Sequence, residues 1–156
     1  MIESDCQKFL YKGFIKDKRH VLAVPNCKAL YPRGESDLIS VTEAGLVHEF
    51  EIKTSKSDYL REFRDKEYKH EVLEQSGREI WDKEEFESKD IPNYFWFAMD
   101  RELCERIEVP EYAGLLCVGS SGVKTVKKAP RRHSEHITDR ARKYLERGMT
   151  VRYWES

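Results

Sequence analysis

The sequence predicts an α/β (α+β) domain built on a central mixed sheet flanked by helices. Three observations predict it. A chain of 156 residues has room for one hydrophobic core but not for two. Two apolar runs of strand length, Tyr94 to Met99 and Tyr112 to Val118, read as buried strands. Segments with apolar residues at three- and four-residue steps precede, separate and follow the strands, which is the layout of helices packed on a sheet.

The first such segment runs from Glu3 to Phe14, with Cys6, Phe9 and Leu10 at helical spacing and Gly13 expected to end it. An extended segment follows from His20 to Leu30, closed by a turn at Pro32-Arg33-Gly34. Next, ESDLISVT and GLVHEFEIKT flank Glu43-Ala44-Gly45, where Gly suits a left-handed backbone, and this reads as a β-hairpin. Strand side chains alternate, so Val47, Glu49, Glu51 and Lys53 share one face, and Leu46, His48, Phe50 and Ile52 the other. A solvated edge strand with cross-strand charge pairs is the bland alternative.

Ser55 and Ser57 offer N-caps for a long helix to about Gln75, whose apolar stripe is Tyr59, Leu60, Phe63 and Val72. Its opposite face should be wet and basic, with Lys56, Arg61, Arg64, Lys66, Lys69 and His70. Ser76 to Asp90 reads as a loop or short helix, Tyr94 to Met99 as a central strand, and Glu102 to Ile107 as a short helix ended by Pro110. The YAGLLCV strand and a turn at Ser120-Ser121-Gly122 lead into a strand from Val123 to Lys127. The tail has Ile137, Ala141, Tyr144 and Leu145 near helical spacing, Gly148 as a stop, and VRYW as a last extended piece.

Composition narrows the function classes. The 28 Lys+Arg and 29 Asp+Glu leave a net charge of -1, so any affinity for nucleic acid must come from a local patch. Cys6, Cys27, Cys104 and Cys117 lack the paired spacing of a zinc site and read as reduced thiols filling the core. No run approaches the ~18 apolar residues of a membrane span. With no secretory signal pattern either, a cytoplasmic or nucleoid location without a membrane partner is expected.

The chemistry concentrates at Asp37, Glu51 and Lys53. With 20 Glu and 15 Lys in the chain, random placement gives about two Glu-x-Lys triplets. Glu67-Tyr68-Lys69 is a decoy, because a spacing of two on a helix turns the side chains about 200° apart. Glu51-Ile52-Lys53 ends a strand, where the same spacing places both side chains on one face. Antiparallel pairing about Gly45 returns Glu51 towards Asp37, so two carboxylates can converge on a hard cation, with the Ile52 carbonyl as a third ligand.

An Asp opening one strand, Glu-x-Lys on the next and a helix on either side resembles the PD-(D/E)XK nuclease superfamily. The wording ESDL, HEFEIKTS, SDYL and Lys-His is similar to small phage and bacterial members and to the MmcB-type DNA repair group. The resemblance covers roughly residues 1 to 118. It implies an αβββαβ core and Mg²⁺- or Mn²⁺-dependent cleavage of phosphodiesters, usually DNA, with Asp37, Glu51 and Lys53 as catalytic residues. Ser36 stands where the motif has Pro. Glu3, on the first helix, matches an acidic position of many members, and Glu35 and Glu49 are further candidate metal ligands. Lys56, Arg61, Arg64, Lys69 and His70 are the candidate nucleic-acid contacts. Cys104 and Cys117 supply no clustered set for the iron–sulfur centre that some members carry. Two rivals remain: a non-catalytic nucleic-acid-binding or assembly module on the same fold, and a junction resolvase, which should be a homodimer with Tyr144, Leu145, Tyr153 and Trp154 as candidate contacts.

Overall fold

The computed structural model describes residues 1–28, 35–74 and 92–155. The expected turn at Pro32-Arg33-Gly34, the segment 76–90 with Trp81, and Gln75 lie outside the described residues. The chain opens with helix α1 (Glu3–Leu10), which widens into a π-helical turn (Tyr11–Ile15) where Lys16 N–H donates to Tyr11 O at 2.8 Å. Gly13 therefore does not end the helix as expected. Its role is contact: a Cβ there would stand 2.8 Å from Val123 Cγ2.

Strands β1 (Leu22–Cys27), β2 (Ser36–Val41) and β3 (Val47–Ile52) form an antiparallel meander, and Gly45 takes φ 90° in the β2–β3 turn as its position required. Helices α2 (Lys56–Asp65) and α3 (Glu67–Glu74) follow, capped at the start by Ser55 Oγ accepting Asp58 N–H at 3.1 Å. The expected single helix is broken at Lys66, whose φ −122° and ψ 39° are not helical. Next come β4 (Tyr94–Met99), the single turn α4 (Arg101–Cys104), β5 (Ala113–Gly119), β6 (Gly122–Lys127) and helix α5 (Asp139–Glu155).

The six strands lie in sequence order in one sheet, with β3, β4 and β5 parallel and β6 antiparallel to β5. This is the predicted mixed sheet flanked by helices. Parallel strands need long crossovers, which lay helices over the sheet and bury its centre on both sides. β3 is buried at every position, so the solvated-edge alternative fails. On one face Ile39, Val47, Phe95, Phe97 and Leu115 pack with Leu73 of α3 and Leu145 of α5. On the other, Leu38, Phe50, Ile52, Trp96 and Leu116 pack with Cys6, Leu10 and Phe14. Each large side chain so enclosed contributes about 1.5–3 kcal/mol. Trp96 is a core residue, and Trp154 is exposed on α5.

The tail departs from expectation, since α5 runs through Gly148 and VRYW is helical rather than extended. Arg152 Nη1 donates to Gly148 O at 2.8 Å, and Arg152 Nη2 to Asn26 O at 2.6 Å. A Cβ at position 148 would stand 2.7 Å from Arg152 Nη1. The glycine makes room for a side chain that ties the helix to β1.

Gly114 of β5 is the tightest crossing. A Cβ there would stand 2.6 Å from Ala129 N and collide with the Trp96 ring, whereas Gly119 has nothing within 4 Å. Gly114→Ala should therefore lower stability by about 1–3 kcal/mol, with Gly119→Ala close to wild type. Urea unfolding midpoints check this, and equal midpoints for the two variants would contradict the crossing.

Candidate active site

The β2–β3 ladder runs from the Val41–Val47 pair to the Leu38–Phe50 pair. One step on, Asp37 occupies the fork: its Oδ2 accepts the Ile52 N–H at 2.8 Å, and Gln7 of α1 donates to the Asp37 carbonyl at 2.8 Å. The side chain is thus held by β3 and the backbone by α1. Glu51 and, from α1, Glu3 hydrogen-bond the Asp37 carboxyl. Burial, and then the charge of Glu51, push Asp37 from 3.8 up to about 9. At neutral pH the Asp37 carboxyl is therefore favoured in its protonated form beside a charged Glu51.

The other side of Glu51 meets ammonium groups. Glu51 is fully buried and bonds Lys69, with Lys66 Nζ at 3.2 Å. Burial alone would raise its pKa, but Lys69 and Lys66 outweigh that, and the net direction is down. Glu49, equally buried, accepts from Ser36 Oγ at 2.6 Å and pairs with Lys69 Nζ at 2.6 Å. Burial opposes the charge on Lys69, yet Glu49, Glu51 and Glu62 together hold it well above the ordinary lysine range.

Glu62, buried on α2, is the hub of the network. Lys53 Nζ lies 2.9 Å from it, Lys66 Nζ 3.4 Å, and His70 Nε2–H donates to it at 2.8 Å. The Tyr112 hydroxyl stands 2.6 Å from His70 Nδ1. Burial would raise Glu62, but His70 and the three lysines draw it far below the carboxylate range. Among the described residues no buried side-chain nitrogen or oxygen lacks a hydrogen-bond partner.

The structure brings Asp37 and Glu51 together, as the hairpin pairing required, and Glu3 reaches Asp37 as well. Lys53 is buried and engages Glu62, with Asp58 at 3.9 Å, so it connects to Glu51 through Glu62 and Lys66. Glu49 is tied to Lys69 and Ser36, and Glu35 is exposed, its carbonyl accepting from Lys66 Nζ at 3.3 Å. Lys56, Arg61 and Arg64 face solvent on α2 as expected.

Lys69 and His70 do not: both are buried. The break at Lys66 resets the helical phase, so α3 turns them toward the sheet, where buried carboxylates require counter-charge. In the decoy triplet Glu67 is exposed and Lys69 buried, in keeping with the 200° argument. Glu62, Lys66 and Tyr112 escaped the sequence reading as site residues. The available signal was Glu62 and Lys66 at i,i+4, with Lys69 a further three on, above a strand carrying two carboxylates.

Asp37 and Glu51 form a pair rather than a cage. Among the described residues no group of three or more His, Cys, Asp or Glu stands in a metal-holding arrangement. No described helix is long and apolar enough to cross a membrane. No family model matches the chain, and no curated protein matches it. A solved structure described as a protein of unknown function from Silicibacter pomeroyi is similar to it, with a TM-score of 0.61 and 16% identity over 95% of this chain and 86% of that one. At that identity the likeness concerns the fold alone.

Two expected outcomes follow from the network. Lys69→Met leaves two buried carboxylates without their shared cation and should cost about 3–5 kcal/mol, whereas Glu67→Ala should stay within about 0.5 kcal/mol of wild type; denaturant melts check both. Asp37 has a folded pKa above its unfolded one, so the stability its proton contributes is complete below 3.8 and is lost as pH rises toward about 9. Asp37→Asn keeps the acceptor for Ile52 N–H and removes that loss. Its stability relative to wild type should grow from about pH 5 to pH 8.5 in EDTA, and a constant difference would refute the proton on Asp37.

Proposed function

We propose that this chain is a divalent-cation-dependent nuclease that hydrolyses phosphodiester bonds of DNA, with Asp37, Glu51 and Lys53 as its catalytic group. The observation that carries this reading is the Asp37–Glu51 pair at the β2–β3 fork, two carboxyls on neighbouring strands in hydrogen-bond contact. A proton on Asp37 is what such a pair holds when no cation separates it, and Mg²⁺ or Mn²⁺ would take its place. Mg²⁺ commonly uses only one or two protein carboxylates and keeps several waters, so a pair suffices; the Ile52 carbonyl and Glu3 are the further oxygens we assign to it. When bound, the ion supplies Lewis-acid activation of water and phosphate.

The remaining work falls to this chain's own groups. Lys53, held by Glu62, supplies an ammonium for the negative charge that grows on the phosphate. Lys66 has a side chain 29% exposed beside Glu51, which makes it the network's cation most open to an incoming strand. Lys56, Arg61 and Arg64 face solvent along α2, where backbone phosphates could compete with Asp58 and Asp65 for the two arginines. The exposed Tyr144, Tyr153 and Trp154 of α5 would provide the twofold contact if the substrate is a four-way junction cut symmetrically.

A second reading is a nucleic-acid-binding module without catalysis. It is favoured by the saturation of Glu51, whose carboxylate already holds two ammonium groups.

Incubation with supercoiled plasmid, linear duplex, single strand, RNA and a four-way junction, with Mg²⁺, Mn²⁺ or EDTA, separates the two readings. Cutting should require the ion, and binding without cutting under every condition would leave the module. Lys53→Ala should lower the cleavage rate by about 10²–10³ while DNA binding persists. Asp37→Ala and Glu51→Ala should each abolish cutting and the rise in melting temperature that Mn²⁺ gives the wild type. Stoichiometric Mn²⁺ binding that survives both substitutions would place the ion elsewhere.

A further inference from the structure

The face of β3 opposite Glu49 and Glu51 carries a second polar constellation. His48 and Tyr94 are register partners on β3 and β4, with their rings stacked at 4.5 Å and 20°. The Trp96 ring lies parallel to that of His48 at 6.3 Å, and Phe14 of the π-helical turn meets Trp96 edge-on at 5.2 Å. These four residues line a cavity of about 500 Å³, inside the roughly 300–1,000 Å³ of small-molecule sites. Phe14, His48 and Trp96 are almost fully covered, yet Tyr94 is only half-buried. The aromatic wall therefore opens to water at one end.

Among the described residues, the charged side chains that line the cavity have one sign. Lys18 and Lys128 stand on its rim, both exposed, and neither has a carboxylate partner among the described residues. Among the described residues no Asp or Glu lines it. Trp96 Nε1 donates to His48 Nδ1 at 3.0 Å, so the proton of the neutral ring sits on Nε2, and that N–H donates to no described residue. Burial, and then His20, lower His48 to about 3; burial, and then Lys18, lower His20 to about 4. The two imidazoles thus stay uncharged at neutral pH, and the positive field comes from the lysines.

We propose that this cavity binds a nucleotide, its base against the aromatic wall and its phosphate between Lys18 and Lys128, with His48 Nε2–H as a donor to the base. Aromatic side chains hold bases by stacking whatever the base, since every base has a π-face. Two ammonium groups from separate segments, Lys18 over the Phe14 ring at 5.2 Å and Lys128, neither with a carboxylate partner among the described residues, match a phosphate dianion better than a single carboxylate. The nucleotide can be free or belong to a single strand, since the chemistry is shared. Asp37 and Glu51 take no part, so the proposal stands apart from the nuclease reading.

Isothermal titration of the full chain in EDTA tests it, with 5′-AMP, adenosine, inorganic phosphate and a 5′-phosphorylated hexadeoxyadenylate as probes. The wild type, Lys18→Ala/Lys128→Ala and Asp37→Asn are compared, with circular dichroism to confirm folding. AMP or the strand should saturate the wild type, with adenosine and phosphate about tenfold weaker or more. The lysine double variant should lose about tenfold or more, and Asp37→Asn nothing. Binding of AMP identifies a free-nucleotide site, and binding of the strand alone a single-strand site. Failure of both to saturate the wild type, or binding untouched by the lysine substitutions, overturns the proposal.

Discussion

Two carboxylates, Glu49 and Glu51, lie fully buried on a strand that other strands flank on both sides. A charge in such a place is stable only when it is paired and hydrogen-bonded. Lys69 answers this demand by bonding both, and Ser36 completes Glu49. Lys69 must therefore point inward from α3, which fixes how that helix lies on the sheet. Glu62 then balances Lys53, Lys66 and Lys69, and His70 with Tyr112 completes the set from α3 and the approach to β5. Removing one member leaves the opposite charge stranded, so the cluster behaves as a unit.

The two sheet faces divide the labour. One carries the charged network between sheet and α2–α3, walled by Phe95 and Phe97; the other carries the aromatic and imidazole cluster under α1 and the π-helical turn. The period of two along β3 creates this division, sending Glu49 and Glu51 one way and His48, Phe50 and Ile52 the other. At the fork the division ends: Asp37 meets Glu51 from β3 and Glu3 from α1.

Much of this was legible in the residues. Alternation placed Val47, Glu49, Glu51 and Lys53 on one face, Gly45 marked the turn, and the aromatic run at Tyr94 gave the central strand. The phase of α3 was not legible, because the break at Lys66 comes from tertiary demand rather than from a Pro or Gly. Lys69 and His70 were therefore assigned to a wet face that they do not occupy. Gly148 read as a stop by local propensity, but contact with β1 favours a continuous helix. The hub role of Glu62 depends on two elements meeting in space, which no spacing within α2 reveals.

The tether between Arg152 and Asn26 joins residues 126 positions apart in the sequence. As the chain is synthesised, β1 and β2 can pair long before α5 exists, and until then β1 presents an uncovered edge to any other extended polypeptide. Contacts across such a separation also form slowly, since a long loop must close first. The nascent protein accordingly passes through a period in which its sheet is open on the β1 side. The left-handed backbone at Asn26 (φ 50°) and the missing N–H of Pro25 interrupt the regular ladder there. They guard the strand during an interval when the helix that later covers it has not yet emerged.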